Sequence, residues 1–124
     1  MNRVGIDLAE VAAIEESVAL FGTRFTERLF TPGELAACAG DARRLAARWA
    51  AKEAAIKALR LGPAVPTPPR EIEVADTPRG PELRLHGGLA ARAREQGWLR
   101  AEVSLTHTDQ CAAAVVLAEV RAGG

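Results

Sequence analysis

Apolar residues at helical spacing dominate the middle of the chain. Leu45, Trp49, Ile56 and Leu59 recur on one face of an alanine-rich stretch. Ala, Leu, Lys and Glu are strong helix formers, so the pattern predicts one long helix over about residues 42–61. Proline recurs through the next segment, residues 62–70, which therefore predicts a semi-rigid loop.

The chain begins with a pattern that predicts a strand followed by a helix. Residues 3–7 form a short apolar run, and apolar residues at helical spacing follow over residues 8–20. Asp7 and Glu10 have the spacing of a capping box, in which a carboxylate accepts hydrogen bonds from the first helical N–H groups. We therefore expect the strand to pass directly into a helix at Asp7.

Shorter elements are predicted between this first helix and the long one. Residues 23–30 could form a short helix that packs its two phenylalanines. Thr31 and Glu34 form a second capping box, with Pro32 at a first helical position where its missing N–H costs nothing. That helix should end near residue 39, before a break at residues 40–41.

Alternating and continuous apolar runs in the second half predict strands. Residues 71–75 and 82–86 predict a hairpin. Residues 87–96 predict a helix ended by Gly97, and residues 99–106 and 111–120 predict two strands around a turn. The last strand is almost wholly apolar, which is typical of a central strand. We predict a single α+β domain over residues 1–124, with one mainly antiparallel sheet packed on the long helix.

Composition excludes several classes of protein. The 124 residues are 48% hydrophobic and 26% charged, as in an ordinary globular protein, and the formal net charge is zero. No overall field would therefore attract nucleic acid or an anionic membrane. Cys38 and Cys111 lack metal-ligand spacing and are expected to behave as small buried hydrophobes in a reducing compartment. Without an apolar leader or spanning segment, the expected location is the cytoplasm.

The charged residues of the long helix have two alternative explanations. Glu53 precedes Lys57 by four residues, the commonest stabilising pair on a helix surface. Arg44, Arg48 and Lys52 also succeed each other every four residues, which usually indicates a solvated face. Cations outnumber the single Glu53, however, so an anionic ligand would satisfy this face better.

Asp7 and His107 likewise have both structural and functional explanations. The capping box alone would account for Asp7, and a histidine in a hairpin turn is usually solvent-exposed. Strand ends are also where sites are built. The chain lacks a Walker A loop, a dinucleotide fingerprint and a zinc pattern. Asp7 and Glu53 with nearby cations would suit magnesium and substrate phosphates.

Three separated stretches resemble, in order and spacing, the motifs of the holo-acyl-carrier-protein synthase family. They are Gly5-Ile6-Asp7 with the four residues after it, Arg48 to Ala54 with Lys57-Ala58-Leu59, and Val103 to His107. The resemblance covers nearly the whole chain, and the short length is that of the trimeric class. It implies the 4'-phosphopantetheinyl transferase fold.

The resemblance also implies an activity. A 4'-phosphopantetheine group would move from coenzyme A to a serine of an apo acyl carrier protein, releasing adenosine 3',5'-bisphosphate. By matching position, Asp7 and Glu53 would hold magnesium, and Lys57 would contact the transferred phosphate. Glu53 or a metal-bound water would accept the serine proton.

The remaining residues of the motifs are expected at the nucleotide. The resemblance places Arg48, Lys52 and His107 around the phosphates of the nucleotide end, with Gly62 in the phosphate loop. It also implies a homotrimer with its sites between subunits.

Two departures from the family pattern keep a second hypothesis open. Arg60 stands where the family usually has a glycine. The first helix carries Ala12, Ala13, Glu15 and Glu16 where typical members have basic residues that meet an acidic carrier helix, although Arg24 and Arg28 remain. The alternative is a non-catalytic homologue that keeps the trimeric scaffold as a binding or structural module.

Overall fold

A computed structural model describes residues 1–122 of the chain. The elements are β1 (Asn2–Glu10), α1 (Val11–Phe21), α2 (Thr23–Leu29), α3 (Pro32–Cys38), α4 (Ala42–Leu59), a 3-10 turn (Pro69–Glu71), β2 (Ile72–Thr77), β3 (Gly80–Leu85), α5 (Gly87–Glu95), β4 (Trp98–His107) and β5 (Cys111–Val120). These confirm the predicted α+β class and all five predicted strands.

The strands form two antiparallel sheets rather than the single predicted sheet. One sheet has the order β1-β5-β4, and β2 pairs with β3 in a separate hairpin. The apolar strand β5 is central, as its sequence predicted, and its inward residues Ala112, Ala114, Val116 and Ala118 are buried. Helix α4 packs across the inner face of the larger sheet, against β1 and β5.

The predicted change from strand to helix at Asp7 is wrong. Strand β1 continues to Glu10 because its ladder with β5 is unbroken, from Asn2 opposite Glu119 to Glu10 opposite Cys111. Helix α1 starts at Val11, and Glu10 at its N-cap makes no side-chain hydrogen bond. The capping box of Asp7 and Glu10 is therefore absent, and Asp7 lies within a strand.

Two other helix boundaries illustrate capping chemistry. The predicted capping box of α3 is confirmed, since Thr31 Oγ1 accepts from the Glu34 N–H at 3.2 Å and Glu34 Oε1 accepts from the Thr31 N–H at 2.9 Å. Helix α4 ends at Leu59, two residues earlier than predicted. Its C-cap is Arg60, which has a left-handed backbone with φ of 50°.

Small residues bring α4 against β1. A Cβ on Gly5 would lie 1.8 Å from the Ala54 carbonyl oxygen, so only glycine fits at this crossing. On the facing side of α4, Ala50, Ala51, Ala54, Ala55 and Ala58 are fully buried. This close packing sets the distance between the carboxylate on β1 and the charged residues of α4.

Candidate functional site

Asp7, Glu53 and Lys57 meet where β1 crosses α4. Asp7 points to the α4 side of β1, because side chains alternate along a strand and its neighbours Gly5 and Ala9 are buried on that side. Lys57 Nζ lies 2.9 Å from Asp7 Oδ1 and donates to the Ile6 carbonyl oxygen at 3.0 Å. Glu53 is close enough for its charge to interact with those of Asp7 and Lys57, so the structure brings together three of the predicted site residues.

The electrostatics of this cluster are those of two carboxylates that share one cation. Burial raises the pKa of Glu53 above its usual value, the charge of Asp7 raises it further, and Lys57 opposes both. Among residues 1–122, no side chain or N–H group donates a hydrogen bond to the Glu53 carboxylate. A further cation bound by both carboxylates would relieve their repulsion.

These two carboxylates fit a hard divalent cation. Oxygen ligands suit magnesium, which commonly binds through one or two carboxylates and leaves its other positions to water and phosphate oxygens. The described residues contain no cluster of three or more His, Cys, Asp or Glu side chains suited to a metal. Asp7 and Glu53 therefore fit a site that a phosphorylated substrate completes, and do not fit a closed protein cage.

Arg48 and His107 lie together in a second group. They line a cavity of about 380 Å³ with Arg44, Asp76 and Pro81. Arg48 is buried, and its Nη2 donates to Asp76 Oδ1 at 2.8 Å. The Nε atom of Arg48 is buried without a hydrogen-bond partner among the described residues.

Lys52 belongs to neither group. Its side chain is 0% exposed, and Nζ lies 2.7 Å from Glu34 Oε1 and donates to the carbonyl oxygens of Pro69 and Ile72. Burial lowers the pKa of Lys52, while the Glu34 carboxylate opposes that shift. The predicted phosphate contact of Lys52 conflicts with this position, because no part of its side chain reaches the surface. Its role is to join α4 to α3 and β2.

Gly62, predicted in the phosphate loop, lies in the segment that follows α4. A Cβ at this position would have no heavy atom within 4 Å, so its surroundings are open. It lies three residues beyond the end of α4, and the structure assigns it no contact with either group.

Sequence reasoning missed two partners of the predicted residues. Asp76, which pairs with Arg48, lies 28 positions along the chain in β2, where only an alternating strand pattern was visible. Glu34 was recognised as a capping residue but not as the buried partner of Lys52. Its burial beneath α4 depends on the tertiary fold, and no local motif signals it.

The two groups lie on different sides of α4. Lys57 follows Arg48 by nine residues, which is about two and a half helical turns, so their side chains leave the helix in opposite directions. Arg48 faces β2 through Asp76, whereas Lys57 faces β1 through Asp7. A chain with carboxylates at a strand and helix crossing and a separate basic cavity has the features of a phosphate-handling enzyme.

Comparison with known proteins identifies the family. The model of the 4'-phosphopantetheinyl transferase superfamily matches residues 3–116. A holo-[acyl-carrier-protein] synthase of Herpetosiphon aurantiacus is 48% identical over 124 residues, covering 94% of this chain and 98% of that one. The chain belongs to the 4'-phosphopantetheinyl transferase superfamily.

Solved structures agree with this assignment. The holo-[acyl-carrier-protein] synthase of Helicobacter pylori in complex with coenzyme A superposes with a TM-score of 0.83 at 28% identity, covering 94% of this chain and 99% of that one. The Neisseria meningitidis enzyme gives a TM-score of 0.83 at 32% identity, covering 94% and 97%. The resemblance of the three sequence motifs to the holo-acyl-carrier-protein synthases is confirmed, as is the expectation of an enzyme of that type.

Proposed function

We propose that this enzyme transfers 4'-phosphopantetheine from coenzyme A to a serine of an apo acyl carrier protein and releases adenosine 3',5'-bisphosphate. The observation that carries the proposal is the meeting of Asp7, Glu53 and Lys57 at the crossing of β1 and α4. The relatives that match over almost their full length are holo-[acyl-carrier-protein] synthases, and one of them was solved with coenzyme A.

Asp7 and Glu53 would hold magnesium in this reaction. When bound, the ion neutralises charge on the pyrophosphate and makes its β-phosphorus a better electrophile. Asp7 supplies a carboxylate fixed by the β1 ladder, and Glu53 supplies one from the rigid helix α4. Both ligands are thus held by regular secondary structure, which limits their motion during the reaction.

Glu53 and Lys57 would take the catalytic roles. The serine hydroxyl attacks the β-phosphorus in line, and Glu53, the carboxylate beside Lys57 at the crossing of β1 and α4, would accept its proton. Lys57 is half-exposed on a flexible side chain, so its ammonium can contact the transferred phosphate. There it would stabilise negative charge that develops in the transition state.

The nucleotide end of coenzyme A would bind at Arg48 and His107. Arg44, Arg48 and His107 line one cavity, and their side chains carry N–H donors. Phosphate oxygens accept readily from such donors. Gly62 would let the backbone after α4 approach the ligand closely, since nothing occupies the space beside it.

A homotrimer with sites between subunits accounts for the separation of these two groups. One nucleotide cannot easily contact opposite sides of α4 in a single chain, so the metal ligands of one subunit would combine with the basic cavity of its neighbour. The outer face of the larger sheet supports such an assembly, because Val4, Ile6, Leu8 and Leu117 are exposed there. Asp7 and Lys57 border a cavity of about 330 Å³ with Ile6 and Leu8, so the proposed metal ligand Asp7 would lie beside this face.

The carrier protein would dock on the helical side of the molecule. Helix α1 exposes Glu15 and Glu16, so it would repel an acidic carrier helix. Phe21, Arg24, Phe25 and Arg28 line a separate cavity of about 560 Å³ at the junction of α1 and α2. We therefore expect the basic and aromatic residues at this junction to carry most of the docking energy.

The decisive experiment is a transfer assay with mass spectrometry. The protein is incubated with magnesium, coenzyme A and candidate apo carriers from fatty acid and polyketide pathways, and each carrier is weighed. A gain of one phosphopantetheine on a carrier supports the proposal, and the Glu53→Gln variant should abolish that gain while keeping its fold and oligomeric state. If no carrier gains mass, the non-catalytic alternative is favoured.

Light scattering of the same samples tests the trimer, which Ile6→Glu should disrupt.

A further inference from the structure

The Lys57 ammonium occupies the position that a cation would need at Asp7. Its Nζ atom lies 2.9 Å from Asp7 Oδ1 and also donates to the Ile6 carbonyl oxygen, so it is attached to β1 at two points. The Asp7 side chain is only 21% exposed, which leaves little of its carboxylate open to a second cation. Lys57 is thus the cation that balances Asp7 in this structure.

The Lys57 side chain can also move away from Asp7. Its side chain is 57% exposed and lies in the last turn of α4, two residues before the helix ends. A lysine side chain has four rotatable bonds and makes point-charge contacts, so it can exchange one anionic partner for another at small cost. A substrate phosphate beside the site would offer such a partner.

We propose that Lys57 is a place-holder for the divalent cation, so that the cation binds tightly only after a substrate phosphate has taken the Lys57 ammonium away from Asp7. This rests on the proposed function, because it takes Asp7 as a metal ligand. A metal ion and an ammonium group on the same carboxylate repel each other, and that repulsion makes cation binding weak in the free enzyme. The phosphate removes the competitor and adds ligands, so cation and coenzyme A bind with positive coupling.

Manganese alone is the probe for this inference, because free Mn²⁺ can be counted directly by electron paramagnetic resonance. The titration uses the full-length protein without coenzyme A or carrier. Lys57→Met removes the place-holder, and its affinity for Mn²⁺ should exceed that of the wild type by about tenfold, the effect of one nearby unit charge. Lys57→Arg keeps the charge and the reach, and should bind Mn²⁺ as weakly as the wild type.

Arg60→Met is the matched control. Arg60 lies three residues beyond Lys57, carries the same charge and does not contact Asp7. It should change the affinity for Mn²⁺ by less than about twofold, because exposed charges without direct contact are screened. Adding Asp7→Asn to Lys57→Met should remove the gain in affinity.

Three results would overturn the place-holder role. They are equal Mn²⁺ affinities in the wild type and Lys57→Met, an equal gain in Arg60→Met, or a gain that survives the Asp7→Asn substitution. None of these readouts involves transfer to a carrier. A failure of the proposed function would instead appear as an absent mass gain in the transfer assay, so the two failures can be distinguished.

Discussion

Gly5 of β1 lies directly against the carbonyl of Ala54 in α4, with no room for a side chain between them. The contact fixes how closely the strand with Asp7 approaches the helix with Glu53 and Lys57. Because Asp7 is two residues from Gly5 and Glu53 is next to Ala54, the same contact sets the spacing of the proposed metal ligands. A substitution that changes the packing at this crossing would therefore also change the spacing of the proposed metal ligands.

We predict that Gly5→Ala strongly destabilises the protein. The added methyl group would overlap the Ala54 carbonyl oxygen, and backbone on both sides prevents an easy shift. Overpacking of this kind costs about 1–3 kcal/mol or more of unfolding free energy, measured by urea denaturation. The control is Gly62→Ala, whose added methyl group meets no atom within 4 Å and should leave the stability almost unchanged. Equal stabilities of the two variants would contradict the close contact.

Lys52→Met should be destabilising by about 3–5 kcal/mol, because it leaves the Glu34 carboxylate buried without its partner. Chemical denaturation gives the value. Adding Glu34→Gln to Lys52→Met should recover part of the loss, since the uncompensated charge is then removed. If Lys52→Met unfolds like the wild type but binds coenzyme A poorly, Lys52 has the phosphate role that the sequence motif implied.

Arg60→Gly should stabilise the protein by about 1 kcal/mol. Arg60 has φ of 50°, a left-handed conformation that costs other residues about 1–2 kcal/mol and glycine almost nothing. Introducing glycine inside a helix has the opposite effect on stability. Ala19→Gly on the exposed side of α1 should therefore destabilise the protein by about 1 kcal/mol. Thermal unfolding of both variants tests the pair, and a destabilised Arg60→Gly would show that the arginine side chain makes a compensating interaction.

We predict that the protein becomes less stable at low pH, in part because Glu73 is protonated. Hydrogen bonds from Thr31 Oγ1 and the His86 ring lower the pKa of Glu73 below its usual 4.5. A carboxyl with a lower pKa in the folded state binds fewer protons there, so its contribution is present above pH 4.5 and is lost as the pH falls through the folded pKa. Melting temperatures between about pH 3 and 7 should therefore fall less steeply on the acid side for Glu73→Gln than for the wild type. Parallel curves would contradict this contribution.

Cys38 should resist alkylation in the folded protein. Its side chain is fully buried, and burial raises the pKa of the thiol to about 11, so almost no thiolate exists at pH 8. Iodoacetamide followed by mass spectrometry should modify Cys38 only after the protein unfolds. Cys111 is half-buried and serves as the internal reference in the same wild-type sample. Rapid modification of Cys38 in the native protein would contradict its burial.

Local patterns predicted most of the elements because each carries its own signal. The Thr31 capping box, the apolar run of β5 and the prolines after α4 depend on neighbours in sequence, and the structure confirms all three. The strand end at Asp7 was misplaced because ladder pairing with β5, more than 100 residues away, extends β1 through Leu8, Ala9 and Glu10. Tertiary pairing overrode the local helical signal there.

In the candidate site, too, some features could be predicted from the sequence and others depend on tertiary contacts. The sequence predicted Asp7, Glu53 and Lys57, and the structure brings them together because β1 and α4 cross at glycine and alanine. Spacing along a helix could not separate Arg48 from Lys52, since both belong to one stripe. Their positions differ because they pair with acids from different elements. Asp76 binds Arg48 beside a cavity, whereas Glu34 binds Lys52 in the interior.

The glycine missing after Leu59 also has a structural explanation. The backbone at Arg60 is left-handed, the conformation that a helix end takes most easily with glycine. Arg60 is less suited to this conformation than glycine, so the departure from the family pattern affects local stability.

Strand β1 serves two surfaces with alternate residues: Gly5, Asp7 and Ala9 face α4, and Ile6 and Leu8 face outward. Inserting one residue ahead of Asp7 would exchange the two sets, turning the carboxylate outward and directing the bulky side chains at α4. Such an insertion would remove the proposed cation site and the tight crossing together. The length of this strand is therefore under much stricter constraint than the proline-rich loop after α4, where the chain can vary without changing which side any residue faces.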